Sequence, residues 1–264
     1  MTGGMGPTYV CKLPLKTFFL CVAALVFGTC GLEDYPYIYP VPQGNIDQEL
    51  NNSAEVHIPT SNSGTAFSHF VIFYRIYVSN INLSSTKIGD AAIYPDINPV
   101  LATDYNSINL YIDSDTLVNT NMDSLFQGKG FKYLYLENAD IENVLSSSVL
   151  GNTLKFYFPS QVSNGLPTMT IGSSVYYLMR STGNGSYNPK PDNYRYFVNN
   201  DELWDPDYIT PQFNADVVDK SGISGGEHYT YAAMFIVAVG IDNSTYSYIY
   251  STPSLIHVFL LPNP

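Results

Sequence analysis

HFVIFYRIYVS, residues His69–Ser79, reads with a period of two. Phe70, Ile72, Tyr74, Ile76 and Val78 fall on one face, and His69, Val71, Phe73, Arg75 and Tyr77 on the other. A period of two, rich in β-branched and aromatic residues and bounded by Gly64 and Asn80, predicts a β-strand. The signal returns in Val56–Ile58, Phe131–Leu136 (FKYLYL), Leu154–Phe158 (LKFYF), Ser174–Arg180 (SVYYLMR), Tyr194–Val198 (YRYFV) and Leu255–Leu260. Gly128 and Gly130, Gly151-Asn152, Asn164-Gly165 and Gly183–Pro191 supply the turns between them. Tyr229–Ile241 (YTYAAMFIVAVGI) is apolar on both faces, as a central, covered strand requires.

Two stretches break this rhythm. Asp96–Leu110 has an N-cap at Asn98 and Pro99 at the first helical position. Asp115–Phe126 spaces Leu117, Met122, Leu125 and Phe126 at helical intervals. One or two short helices are expected here, inserted among the strands. No repeat of fixed period and no low-complexity tract is present.

The N-terminal region has another character. In KLPLKTFFLCVAALVFGTC, residues Lys12–Cys30, two lysines precede an apolar or small run, Thr17–Phe27, and then Gly28, Thr29 and Cys30. A positive flank, a short apolar core and small residues make a secretory signal peptide. The core is about half of the roughly 20 residues that a spanning helix needs. Residues 1–29 are therefore expected to be cleaved. An uncleaved anchor and an ordinary signal peptide cut near Cys30 are the alternatives.

Residues 30–52 carry Pro36, Pro40, Pro42 and Gly44 and read as an extended tether. The tyrosines and Ile38 of LEDYPYIYPV are less polar than a free linker, so part of it is expected to pack on the domain along a sheet edge. Removing 29 of the 264 residues leaves 235. With residues 53–264 as a single decorated β domain, that length is accounted for.

All three cysteines, Cys11, Cys21 and Cys30, lie in or at the end of the leader. A cleaved chain would keep Cys30 alone. It would then have no internal disulfide, no Cys-based zinc site and no Cys nucleophile. Loss of Lys12 and Lys16 takes the net charge from −12 to −14, leaving nine Lys and Arg. Without a basic patch, nucleic acid is not an expected partner.

Two resemblances follow from these residues. Phe27-Gly28-Thr29-Cys30 resembles a bacterial lipobox, with Phe27 and Thr29 where the strict form has Leu and Gly or Ala. Looser boxes of this kind look like those of lipoproteins from treponeme-like spirochaetes. The resemblance implies lipidation at Cys30, a cell-envelope location on the outer or cytoplasmic membrane, periplasmic or surface-exposed, and no assigned catalytic residue. Two acyl signals suffice to hold a domain on a bilayer where a single chain anchors it marginally.

The second resemblance is of order. His69–Ser79 looks like the third strand of an immunoglobulin- or fibronectin III-like module, and Tyr229–Ile241 with Leu255–Leu260 like its final hairpin. That implies an antiparallel β-sandwich with extra strands and inserted helices. The chain departs from the standard module in two ways. Roughly 150 residues separate these pieces, and the usual third-strand Trp is missing, the one tryptophan being Trp204.

The candidate chemistry is sparse. Asp201, Glu202, Asp205 and Asp207 cluster in DELWDPD beside Trp204, and close carboxylates can hold Ca²⁺. The spacing matches no EF-hand, and a solvated acidic loop explains the cluster equally. His57, His69, His228 and His257 are isolated in sequence, although strands could bring His57 to His69. There is no nucleophile elbow and no phosphate-binding Gly loop, and no cofactor is expected. Tyrosine is abundant, 23 residues, and suits both sheet faces and binding surfaces. Trp204, Tyr187 and Tyr194 are the candidates for stacking on a protein or glycan ligand. A non-enzymatic binding, adhesion or envelope-structure module fits these features. A carbohydrate-active or other exported hydrolase and an outer-membrane β-barrel remain as alternatives, the last weakened because most strands are shorter than the roughly 9–11 residues of membrane barrels and the longest is apolar on both faces.

Overall fold

The computed structural model describes residues 37–49, 52–64, 66–79, 130–181, 194–199, 216–219, 229–243 and 245–264. The expected helices at Asp96–Leu110 and Asp115–Phe126, the leader and Cys30 lie outside them. The described chain is mainly β, with two sheets and one short α-helix among the described residues. Residues Tyr37–Pro264 form one compact unit.

The predicted strand at His69–Ser79 is β3 (Phe67–Ser79), and Tyr229–Ile241 is β11 (Tyr229–Asp242). They pair antiparallel along almost their whole length, from Tyr229 opposite Ser79 to Val239 opposite His69. This pair is the spine of the second sheet. β4 (Lys132–Tyr133) and β10 (Val217–Asp219) flank β3, β10 in parallel. β12 (Ser247–Tyr250) and β13 (Ser254–Leu260) flank β11.

The final hairpin is therefore present, but its return strand is broken. β12 pairs with the end of β11 and β13 with its beginning. Ser251-Thr252-Pro253 separates them, and Pro253 has no N–H to give to a ladder. Ser251 repairs the gap. Its N–H bonds to the Ala238 carbonyl, and its Oγ accepts the Ala238 N–H at 2.9 Å.

The first sheet runs β1 (Ile46–Glu49), β2 (Ser53–His57), β6 (Thr153–Tyr157), β7 (Thr168–Ile171), β8 (Ser174–Ser181) and β5 (Tyr135–Leu136), with β9 (Tyr194–Tyr196) also on β8. The predicted strand Phe131–Leu136 is thus two strands in two sheets. Leu134 is the corner: its N–H still bonds to Ile72 of the second sheet, while Tyr135 already pairs with Met179 of the first. Helix α1 (Ile141–Val144) follows, capped by Asp140, whose side chain accepts the Glu142 N–H.

The even residues of β3 and β11, among them Phe70, Ile72, Ile76, Met234 and Ile236, share one core with Val56, Leu154, Phe156, Met169 and Leu178 of the first sheet. Apolar side chains fill the space between the sheets, unlike the polar lumen of a membrane barrel. The odd residues Val71, Phe73, Tyr77, Phe235 and Val237 are buried in a second cluster on the opposite face of the spine. This is why β11 reads as apolar on both sides. No described helix is long and apolar enough to cross a membrane.

Part of the 30–52 segment packs on the domain along a sheet edge, as its apolar residues led us to expect. Ile38, Val41 and Ile46 are buried, and Ile46–Glu49 is the outermost strand of the first sheet. Side chains from this segment also satisfy the free edge of β13. Gln43 bonds to the Leu255 carbonyl and Gln48 to that of Ile256. The Asn52 amide meets both the N–H and the C=O of Leu260, at 2.8 and 2.7 Å. Of LEDYPYIYPV, Ile38 and Val41 are buried at the edge of the sheets, whereas Tyr37 and Tyr39 stay exposed.

Candidate functional site

Cys30, Tyr187, Asp201, Glu202, Trp204, Asp205 and Asp207 lie outside the described residues. Tyr194 opens β9 and is half-buried, its ring 4.7 Å from that of Tyr135. Burial raises its hydroxyl pKa. The described histidines do not converge. His57 is on β2 of the first sheet, His69 on β3 of the second, and His257 on β13. Among the described residues no three His, Cys, Asp or Glu side chains form a metal-binding group.

Strand pairing brings together groups that are far apart in sequence. On the outer face of the first sheet His57 stands opposite Thr153. Its Nδ1 is 2.9 Å from Thr153 Oγ1 and its Nε2 is 3.1 Å from Asp47 Oδ2. Acid, imidazole and hydroxyl are the components of a hydrolytic triad. However, the nearby N–H groups of Ile58, Gly151 and Asn152 are all committed to backbone carbonyls, so they cannot hold an oxyanion. The chain of bonds ties β1, β2 and β6 together. Beside it Lys155 pairs with Glu55 at 2.6 Å.

The same face carries two exposed tyrosines, Tyr157 and Tyr177. Tyr157 is opposite Thr168, and Thr168 is opposite Tyr177. With strands about 4.8 Å apart, the two tyrosine backbones stand about 10 Å apart across a small residue. Two exposed tyrosines thus stand on either side of Thr168, near the paired charges Lys155 and Glu55. Such a surface offers stacking and hydrogen bonding to a ligand, with no fixed net charge to select for an ion. Period-two alternation in LKFYF and SVYYLMR signals these outward tyrosines, but their pairing across Thr168 needs the register.

A second constellation has no sequence signal. Arg180 of β8 makes a fork to Asp216, Nε to Oδ2 at 2.9 Å and Nη2 to Oδ1 at 2.7 Å. Tyr74 of β3 donates to Asp216 Oδ2 at 3.0 Å, and its own oxygen accepts the Ser181 N–H at 2.6 Å. The pair is buried, at 4% and 0% side-chain exposure. Burial, and then the Asp216 charge, push the Tyr74 hydroxyl well above its usual pKa. Burial works against the charge on Arg180, but the carboxylate beside it prevails and the pKa is raised. Lys132, opposite Tyr74 on β4, has its pKa lowered by burial, partly offset by Asp216. The carboxylate is saturated by its neighbours, so this node acts as a cross-link between the sheets.

Scanned against protein-family models, curated protein sequences and solved structures, the chain matches none.

Proposed function

We propose that this chain is a bacterial lipoprotein, acylated at Cys30 and held on a cell-envelope membrane, that displays a non-enzymatic β-sandwich of immunoglobulin- or fibronectin III-like type for binding, adhesion or envelope structure. The observation that carries the proposal is the leader Lys12–Cys30, ending in a cysteine only seven residues before the compact unit starts at Tyr37. The adjacency of β3, β11 and β13 supports the module type, since the third strand and the final hairpin of such modules share a sheet. The ligand, a protein or a glycan, is met on the outer face of the first sheet between Tyr157 and Tyr177.

The test is mass spectrometry of the N-terminus from a membrane fraction, comparing wild type with Cys30→Ala. An acylated Cys30 that disappears in the variant, together with release of the variant from the membrane, is the expected result. An unmodified N-terminus elsewhere would remove the lipoprotein reading.

A further inference from the structure

The exposed large apolar side chains at one end of the sandwich lie beside the start of the compact unit. Tyr37 is 62% exposed, Tyr246 85% and Tyr248 57%, with Tyr39 and Ile241 also exposed. Tyr37 and Tyr39 stack edge to face at 4.9 Å. Ile38 between them lies against β11 so closely that a Cβ added at Gly240 would meet its side chain at 2.5 Å. Ile241 follows Gly240 and is paired with Tyr248, and the turn bearing Tyr246 closes this hairpin, its N–H on the Asp242 carbonyl. Tyr39 is fixed by two bonds to Asn62, 2.8 and 2.9 Å, in the loop next to the hairpin base. From there the segment runs along β13, meeting Ser254 through Val41 and Leu260 through Asn52. The chain therefore enters the sandwich at the end where the β11–β12 hairpin projects.

We propose that this end, Tyr37, Tyr39, Ile241, Tyr246 and Tyr248, rests in the headgroup region of the membrane that anchors the chain. The inference rests on acylation at Cys30. Seven residues from Cys30 to Tyr37 span at most about 25 Å, so the tether holds this end, and not the opposite one, near the bilayer. The chemistry fits that position. Tyrosine has an apolar ring and a polar hydroxyl, and it gathers where apolar and wet regions meet. The charge also fits. The processed chain is acidic, −14 once Lys12 and Lys16 are lost from the full-length −12, and an acidic surface is repelled by anionic lipid. Yet residues 37–42 and 240–248 of this end contain one charged side chain, Asp242, whose carboxylate accepts the Thr245 hydroxyl at 2.8 Å.

The experiment uses the full-length, processed chain in vesicles of phosphatidylethanolamine and phosphatidylglycerol containing phosphatidylcholine spin-labelled on its headgroup. Processing leaves no thiol besides Cys30, so Ser247→Cys and, at the other end, Ser163→Cys each carry a single fluorescent label. Quenching several-fold stronger at 247 than at 163, unchanged by added salt and lost in Tyr246→Ser/Tyr248→Ser, is expected. Equal quenching at both positions, or none at 247, overturns the proposal. Mass spectra of the same samples show separately whether Cys30 is acylated, so failure of the anchor is distinguished from failure of the docking.

Discussion

At the scale of single residues, the groups that matter most are those whose surroundings leave them one workable state. Asp216 is fully buried and takes three hydrogen bonds from Arg180 and Tyr74. Removing one partner of such a pair leaves an uncompensated charge, whereas the pair itself can be near neutral in net stability. Asp216→Ala is expected to lower unfolding stability by about 3–5 kcal/mol. Tyr74→Phe is expected to cost about 1–3 kcal/mol, because the Ser181 N–H loses its acceptor. Urea titration of the two variants checks this; a smaller loss for Asp216→Ala than for Tyr74→Phe would contradict it.

His257 gives the pH dependence. Burial lowers its pKa to about 4, against about 6.5 in an unfolded chain. Above about pH 6.5 the imidazole is neutral in both states. As pH falls from there to about 4 only the unfolded chain takes the proton, so stability is lost, ~3 kcal/mol in all, and the contribution is flat below. Unfolding midpoints measured down this range should fall more steeply for wild type than for His257→Gln. Parallel curves would show that the imidazole is not held neutral.

At the scale of elements, sheet edges explain what the strand pattern could not. Gln43, Gln48 and Asn52 give β13 hydrogen bonds that a neighbouring strand would have given. An unpaired edge is a template for another chain. A chain starting at Ser53 is therefore expected to self-associate, while one starting at Tyr37 stays monomeric; light scattering on both decides it. The strands missed in the sequence share one feature. β1, β7, β10 and β12 span three or four residues each, too few to display a period. They are strands because a longer neighbour offers them a ladder. The break at Leu134 is similar: FKYLYL reads as one aromatic, strand-forming run, and the choice of partner sheet alone divides it.

At the scale of the whole molecule, the sequence by itself determined that the chain is mainly β, where its two longest strands lie, and that β11 is covered on both faces. Those properties depend on side-chain alternation and apolar content, which are local. It also carried the leader and Cys30, from which the envelope location is proposed. Only the tertiary structure decided which strands are neighbours. The tyrosine pair across Thr168, the Asp47–His57–Thr153 clip, the Arg180–Asp216–Tyr74 cross-link and the aromatic end beside Tyr37 all depend on it. Each joins residues from different strands or loops, and register is set by how the two sheets share one core, a condition no single stretch of sequence contains.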